Sequence, residues 1–315
     1  MRRKNYLFLA AATLVFAACD KKEAETPDNG PVAARITASA DGPQTRAIDN
    51  KWEADAIGVM VNASTSGMKD LYKNVKYTTT STGTTADFTA ESGKDIYFQD
   101  ANETVTFAAY GPYYQSESNA LPGQSSDGVI WTSTENQNTD ETRQAVDFIY
   151  ASGSTASKSS PTVKFKFKHV MSRLVLKVLP GNDISTSDIT SGKYFLKGVE
   201  FNGKFDVTTG KAEASASQLI PTQMYSLNDK VQVTPNESDR RTFTIICFPF
   251  DYSGRVLEFT ATINGQDYKL DIKPNLESGK SYTYEISVNK TKLVVLGSTI
   301  ESWGNGGTTS GEATM

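Results

Sequence analysis

Few side chains in this 315-residue chain are equipped for chemistry beyond simple acid and base. The one histidine, His169, closes the run Phe165-Lys-Phe-Lys-His, so a Ser-His-Asp relay or a multi-histidine metal site would have to be built around it alone. No G-x-S-x-G, C-x-x-C or H-E-x-x-H spacing accompanies it. His169 therefore reads as a structural group where two strands meet. Cys247 sits inside the apolar run Phe243-Thr-Ile-Ile-Cys-Phe-Pro-Phe. A reactive thiolate needs an accessible, electropositive setting, and this run supplies none, so Cys247 reads as a small buried hydrophobe. Carboxylate pairs for glycoside hydrolysis converge from distant positions and leave no local motif. The acids here fall mostly in turns or on outward positions of alternating segments, as Asp271 and Glu285 do. The glycine-rich residues 304–311 have no helix after them and so cannot cradle a phosphate in the usual way. The sequence holds no catalytic constellation; neither an enzyme nor a metal nor a cofactor is expected.

The other thiol, Cys19, has a different context. Arg2, Arg3 and Lys4 precede an uncharged apolar run over residues 6–18. That run is too short to span a bilayer comfortably as a permanent helix, and small residues close it, so residues 1–18 read as a cleaved signal segment. Phe16-Ala17-Ala18-Cys19 resembles a bacterial lipobox, in which the thiol is diacylated and becomes the mature N-terminus. The alternative is an ordinary secretory peptide with an incidental cysteine. Several acyl chains hold a membrane far more firmly than one, because each buried CH₂ contributes about 0.8 kcal/mol. With Cys19 acylated, an intramolecular disulfide is impossible even in an oxidising compartment. A net charge of −4 with no basic stripe argues against nucleic acid as a partner.

Three tryptophans remain. Trp52 and Trp303 read as core residues, each carrying a large apolar area. Trp131 follows Val129-Ile130 and precedes a polar Thr-Ser-Thr stretch, which leaves both a core role and an exposed sugar-stacking platform open.

The elements that would position these groups are strands. Val163, Phe165 and Phe167 alternate with Lys164, Lys166 and Lys168, and Tyr282, Tyr284, Ile286 and Val288 alternate with Thr283, Glu285 and Ser287. Asn202-Gly203, Ser253-Gly254 and Asn264-Gly265 are hairpin signals, the last lying between two alternating runs. Residues 78–85, rich in Thr and Ser, fit an exposed strand or a long loop equally well. Helix signals are sparse, with one or two turns expected over residues 211–219. Many short strands with regular turns predict β-sandwiches, and roughly 270 folded residues fit two domains better than one. Residues 19–34 read as a flexible tether, 35–160 as an N-terminal domain and 161–315 as a C-terminal domain ending in a Gly-rich tail. The linker is placed at residues 152–161, and the strand at 163–169 fits either side of it.

Several segments, in order, resemble the fimbrillin family of pilus subunits from gut and oral Gram-negative anaerobes. A lipobox is followed by Ile36-Thr-Ala-Ser-Ala, Thr45-Arg46-Ala47, and Trp52 with Asp55-Ala-Ile-Gly-Val-Met-Val. Next come Thr104-Val-Thr-Phe-Ala-Ala-Tyr-Gly-Pro-Tyr, Asp147-Phe-Ile-Tyr-Ala-Ser and Phe167-Lys-His-Val-Met-Ser-Arg-Leu. Leu276-Glu-Ser-Gly-Lys-Ser-Tyr-Thr-Tyr and Ile300-Glu-Ser-Trp complete the series. The resemblance implies an all-β chain with two tandem transthyretin-like β-sandwich domains after the signal peptide. It implies export to the cell outer membrane on the Cys19 lipid and cleavage between Arg46 and Ala47 by an arginine-specific surface protease, with Arg35 a second possible site. Arg46 also reads simply as an exposed loop residue. Cleavage would discard the first strand, residues 32–40, and a C-terminal segment of a neighbouring pilus subunit would fill the groove by β-augmentation. The matching donor segment is 292–300, where Leu293, Val294, Val295 and Leu296 offer apolar faces; the tail after Trp303 has none. If those residues complete the protein's own sheet, a tip, accessory or anchoring subunit is implied instead. The alternative function is a non-polymerising surface lipoprotein that binds glycans on a β-sandwich face.

Overall fold

Period-two alternation translates directly into paired strands. The computed structural model describes residues 30–39, 52, 55–215, 223–235 and 237–303, which form twenty-one strands and four short helices. The first nine strands are β1 (Arg35–Ser39), β2 (Ala56–Ala63), β3 (Val75–Thr78), β4 (Thr85–Ala90), β5 (Thr104–Gly111), β6 (Val129–Ser133), β7 (Ile149–Ser157), β8 (Thr162–Phe165) and β9 (Lys168–His169). All but β6 join one sheet in the order β8-β1-β4-β3-β2-β5-β7-β9. The sheet curls, and Ser154 of β7 donates to the Lys164 carbonyl of β8 at 2.8 Å. Its concave side holds Trp52, Tyr77, Phe88, Phe107, Phe165 and Phe167. Trp52 meets Phe88 edge-on at 5.1 Å and Phe167 at 5.6 Å.

The later strands are β10 (Ser172–Pro180), β11 (Lys193–Lys197), β12 (Asn202–Asp206), β13 (Lys211–Ala214), β14 (Met224–Ser226), β15 (Arg241–Cys247), β16 (Phe250–Asp251), β17 (Leu257–Ile263), β18 (Gln266–Ile272), β19 (Asn275–Leu276), β20 (Lys280–Asn289) and β21 (Lys292–Ser302). In β10, Leu174, Leu176 and Val178 are buried while Arg173, Val175 and Lys177 are half-buried. Two four-stranded sheets, β15-β10-β20-β21 and β14-β11-β17-β18, enclose a second core. Tyr194 of β11 touches Phe243 of β15 across it, ring centroids 5.3 Å apart. Fully burying a large apolar side chain contributes about 1.5–3 kcal/mol, so these interiors dominate stability.

The chain is all-β, as expected, and the Asn264-Gly265 hairpin forms with φ of 52° and 79°, the positive pair that a two-residue turn of this twist demands. Residues 79–84 form a loop between β3 and β4. Other expectations fail. Asn202-Gly203 lies within β12, where a Cβ on Gly203 would strike the Phe248 ring; glycine serves close packing there, not a turn. The helix expected at 211–219 is replaced over its described part by β13, because Ala212 faces the core while Glu213 pairs outward with Lys204 at 3.4 Å. Most of the expected linker at 152–161 is strand: Gly153, φ 78°, forms a bulge opposite Phe107 and Ala108, and β7 runs on to Ser157. β8, part of the run that by sequence fits either side of that stretch, pairs with β1. β6 crosses the other way to pair with β12 in a three-stranded sheet, over a third core where Phe148 stacks on Phe205 at 4.6 Å.

Candidate functional site

The first strand is held on both sides. β1 runs antiparallel to β4, with Ile36 opposite Phe88, and parallel to β8, with Ile36 opposite Val163 and Ala38 opposite Phe165. Ala34, Ile36 and Ala38 are buried while the Arg35 side chain is exposed, so one face of the strand is core. Further main-chain bonds extend the seat: Ala34 N–H to Ile96 O at 2.8 Å, Arg35 N–H to Pro161 O at 2.8 Å, and Phe98 N–H to Val32 O at 3.0 Å. The Thr37 hydroxyl adds a bond to the Val163 carbonyl at 3.3 Å. Among the described residues β1 is the only sheet neighbour of β8. Withdrawing it would strip β8 of its ladder and open a groove between β8 and β4.

The last strand is held on one side. β21 forms a long antiparallel hairpin with β20, from Asn289↔Lys292 to Lys280↔Ser302, and no strand flanks its outer edge among the described residues. Leu293, Val295 and Ile300 pack against the second core, and Val294 is half-buried. Glu285 faces Gly297 and Ile286 faces Val295, so Leu296 is the extra residue of a bulge and is 60% exposed. Leu293, Val294, Val295 and Leu296 thus lie in the protein's own sheet, at its edge.

Trp303 fastens the end of that strand. It is buried, its N–H donates to the Gly279 carbonyl at 2.7 Å, and its ring stacks on His169 at 4.1 Å and 6°. The Arg173 guanidinium lies 5.3 Å from the same ring, a cation–π contact. His169 Nδ1 and Asp147 Oδ1 are 2.8 Å apart, joining β9 to the residue before Phe148. Burial lowers the Arg173 pKa, and the neighbouring Asp147 and Glu301 carboxylates work in the opposite direction. His169 is therefore an orienting partner inside a packed joint.

Cys247 is buried, and burial pushes its thiol up to about 12, which keeps it protonated and unreactive. Trp52 is buried, whereas Trp131 is 61% exposed with Lys204 Nζ 5.8 Å from its ring centroid. Among the described residues no cluster of three or more His, Cys, Asp or Glu side chains could hold a metal ion. Cys19, Arg46 and Ala47 lie outside the described residues. A cleft of about 430 Å³ opens beside Tyr72, Tyr97 and Tyr113. Only Tyr113 fell within a motif noted in the sequence; the other two are brought to it by tertiary folding.

Comparison with known proteins bears on these two strands. A fimbrillin-like family model matches residues 45–303, a span that includes β21 and begins just after β1. No curated protein matches. The structure of a candidate cell adhesion protein from Bacteroides ovatus superposes with a TM-score of 0.72 at 27% identity, covering 87% of this chain and 98% of the other. A second candidate adhesion protein, from Bacteroides uniformis, gives 0.63 at 23% identity, covering 88% and 99%, and shares the fold. With a family match running unbroken from Thr45 to the Trp303 fastening, the chain belongs to the fimbrillin-like family.

Proposed function

We propose that this protein is a structural or adhesive subunit of a cell-surface pilus. It is exported to the outer membrane as a lipoprotein on Cys19, and an arginine-specific surface protease cuts between Arg46 and Ala47. The cut frees the segment containing β1, and residues 292–300 of a neighbouring subunit enter the vacated groove. The observation that carries this reading is the seat of β1: an N-terminal segment with three core-facing side chains between two strands that do not otherwise pair with each other. A strand in that position can be exchanged for another of similar pattern, gaining the same main-chain bonds. Family membership adds the pilus context. A shaft subunit must also release β21 from its own sheet; a subunit that keeps β21 seated would occupy a tip, accessory or anchoring position.

N-terminal sequencing of the protein recovered from the cell surface tests the reading. Ala47 as first residue is expected, with the cut protein forming SDS-resistant ladders. A lipid-blocked Cys19 throughout would overturn processing. The exposure of Trp131 favours one second reading, a non-polymerising glycan-binding lipoprotein. It predicts a persistent monomer after the cut and saturable polysaccharide binding that is lost in Trp131→Ala.

A further inference from the structure

We infer that the cleft at Tyr72, Tyr97 and Tyr113 is a binding site for a neutral saccharide. The three half-buried rings come from three separate segments and converge on a space of about 430 Å³, within the range of small-ligand sites. Its walls are fixed by a hydrogen-bond chain. The buried Tyr110 hydroxyl donates to Asn74 Oδ1 at 2.8 Å, and Asn74 Nδ2 donates to the Tyr114 carbonyl at 2.9 Å and to Ser116 Oγ at 2.8 Å. Ser116 Oγ donates onward to the Ala120 carbonyl at 2.8 Å. Gly58 makes room for this chain, since a Cβ there would strike both the Tyr110 ring and the Asn74 amide. On the other wall the Tyr97 N–H donates to the Tyr72 hydroxyl at 3.1 Å. Binding to walls already ordered costs little further entropy.

The lining chemistry selects the ligand. A pyranose presents a face of C–H groups with partial positive charge, and tyrosine rings present negative faces. Lys76 Nζ rests 5.4 Å from the Tyr113 centroid, so this ring face attracts positively polarised groups, and a sugar would stack there by displacing a flexible, exposed side chain. Lys76 and Lys94 are offset by Glu91, Asp95 and Glu117, so an anion gains no net attraction, while side-chain donors and acceptors of both kinds suit sugar hydroxyls. Trp131, by contrast, is 61% exposed on a three-stranded sheet, outside the cleft. The inference rests on the surface location proposed above and not on strand exchange.

The test applies the full-length, uncut Arg46→Ala chain to an array of neutral gluco-, manno-, galacto- and xylo-oligosaccharides, with sialylated and sulfated glycans as the charged arm. Retention of a neutral oligosaccharide is expected. Tyr113→Ala and Tyr97→Ala should each weaken it at least ten-fold, Tyr113→Phe should preserve it within about three-fold, and Trp131→Ala should leave it unchanged. Ser118→Trp, an exposed loop change that plugs the cleft without touching the core, should abolish binding while leaving the melting temperature unchanged. No retained neutral glycan, retention of charged glycans alone, or binding that survives Ser118→Trp overturns the inference. Ladder formation by the Arg46-cut chain is scored separately, so either proposal can fail without the other.

Discussion

β1 and β21 both place apolar side chains against a core, yet the protein holds them in different ways. β1 is bonded along both edges and buries Ile36 and Ala38, with Ala34 just before it, in a core of large aromatic rings. β21 is more than twice as long but is bonded along one edge, leaves Leu296 in solvent, and relies on Trp303 at its end. A strand bonded on both sides leaves only when the chain beyond it is cut or pulled. A strand bonded on one side leaves when its fastening fails. This asymmetry is the one that the proposed exchange requires of its discarded and donated segments.

The largest expected effect tests the double seat. Ile36→Asp places an unpaired charge where Ile36 is 2% exposed and should cost about 4 kcal/mol or more, read as a collapse of the urea midpoint. A loss below about 1 kcal/mol would mean that β1 is not a structural member of its sheet. Next, Trp303→Ala should cost about 3 kcal/mol. Amide hydrogen exchange should quicken across residues 292–302 while residues 35–39 keep their protection. Equal loosening of both strands would break the comparison, because Trp303 would then be supporting the whole molecule. The smallest effect is the most discriminating: Leu296→Ser should change stability by no more than about 0.5 kcal/mol, yet reduce ladder formation by the cut protein. Undiminished ladders would remove Leu296 from the donor surface.

Much of this organisation could be read from the chain. The Lys-interrupted run Val163-Lys-Phe-Lys-Phe and the Asn264-Gly265 turn carry their structure locally, because side-chain alternation and positive φ are properties of a few consecutive residues. Asn202-Gly203 has the same local appearance, but the Phe248 ring that demands a glycine there is 45 residues away, so only the fold could distinguish strand from turn. The stretch at 152–161 reads as a linker for a similar reason: its serines face outward, and the β5 strand that makes it a ladder lies elsewhere in the sequence. The apolar faces of the candidate strands were legible as alternation. The parallel pairing of β1 with β8, 126 residues away, was not. The tyrosine cleft was hidden for the same cause, since Tyr72 and Tyr97 reach Tyr113 only after β2 to β5 have assembled.

The bulge at Leu296 gives the last strand two possible faces. Within its own sheet the extra residue shifts the parity, so Leu293 and Val295 point inward ahead of it and Ile300 points inward beyond it. A straight strand of the same sequence, with period-two alternation restored, would place Val294, Leu296, Ser298 and Ile300 on one side. The hairpin therefore leaves one leucine outside its own core, on the face that a straight strand would share with Val294 and Ile300. In the proposed exchange, a receiving groove that flattened this strand would bury a side chain that its own sheet leaves in solvent.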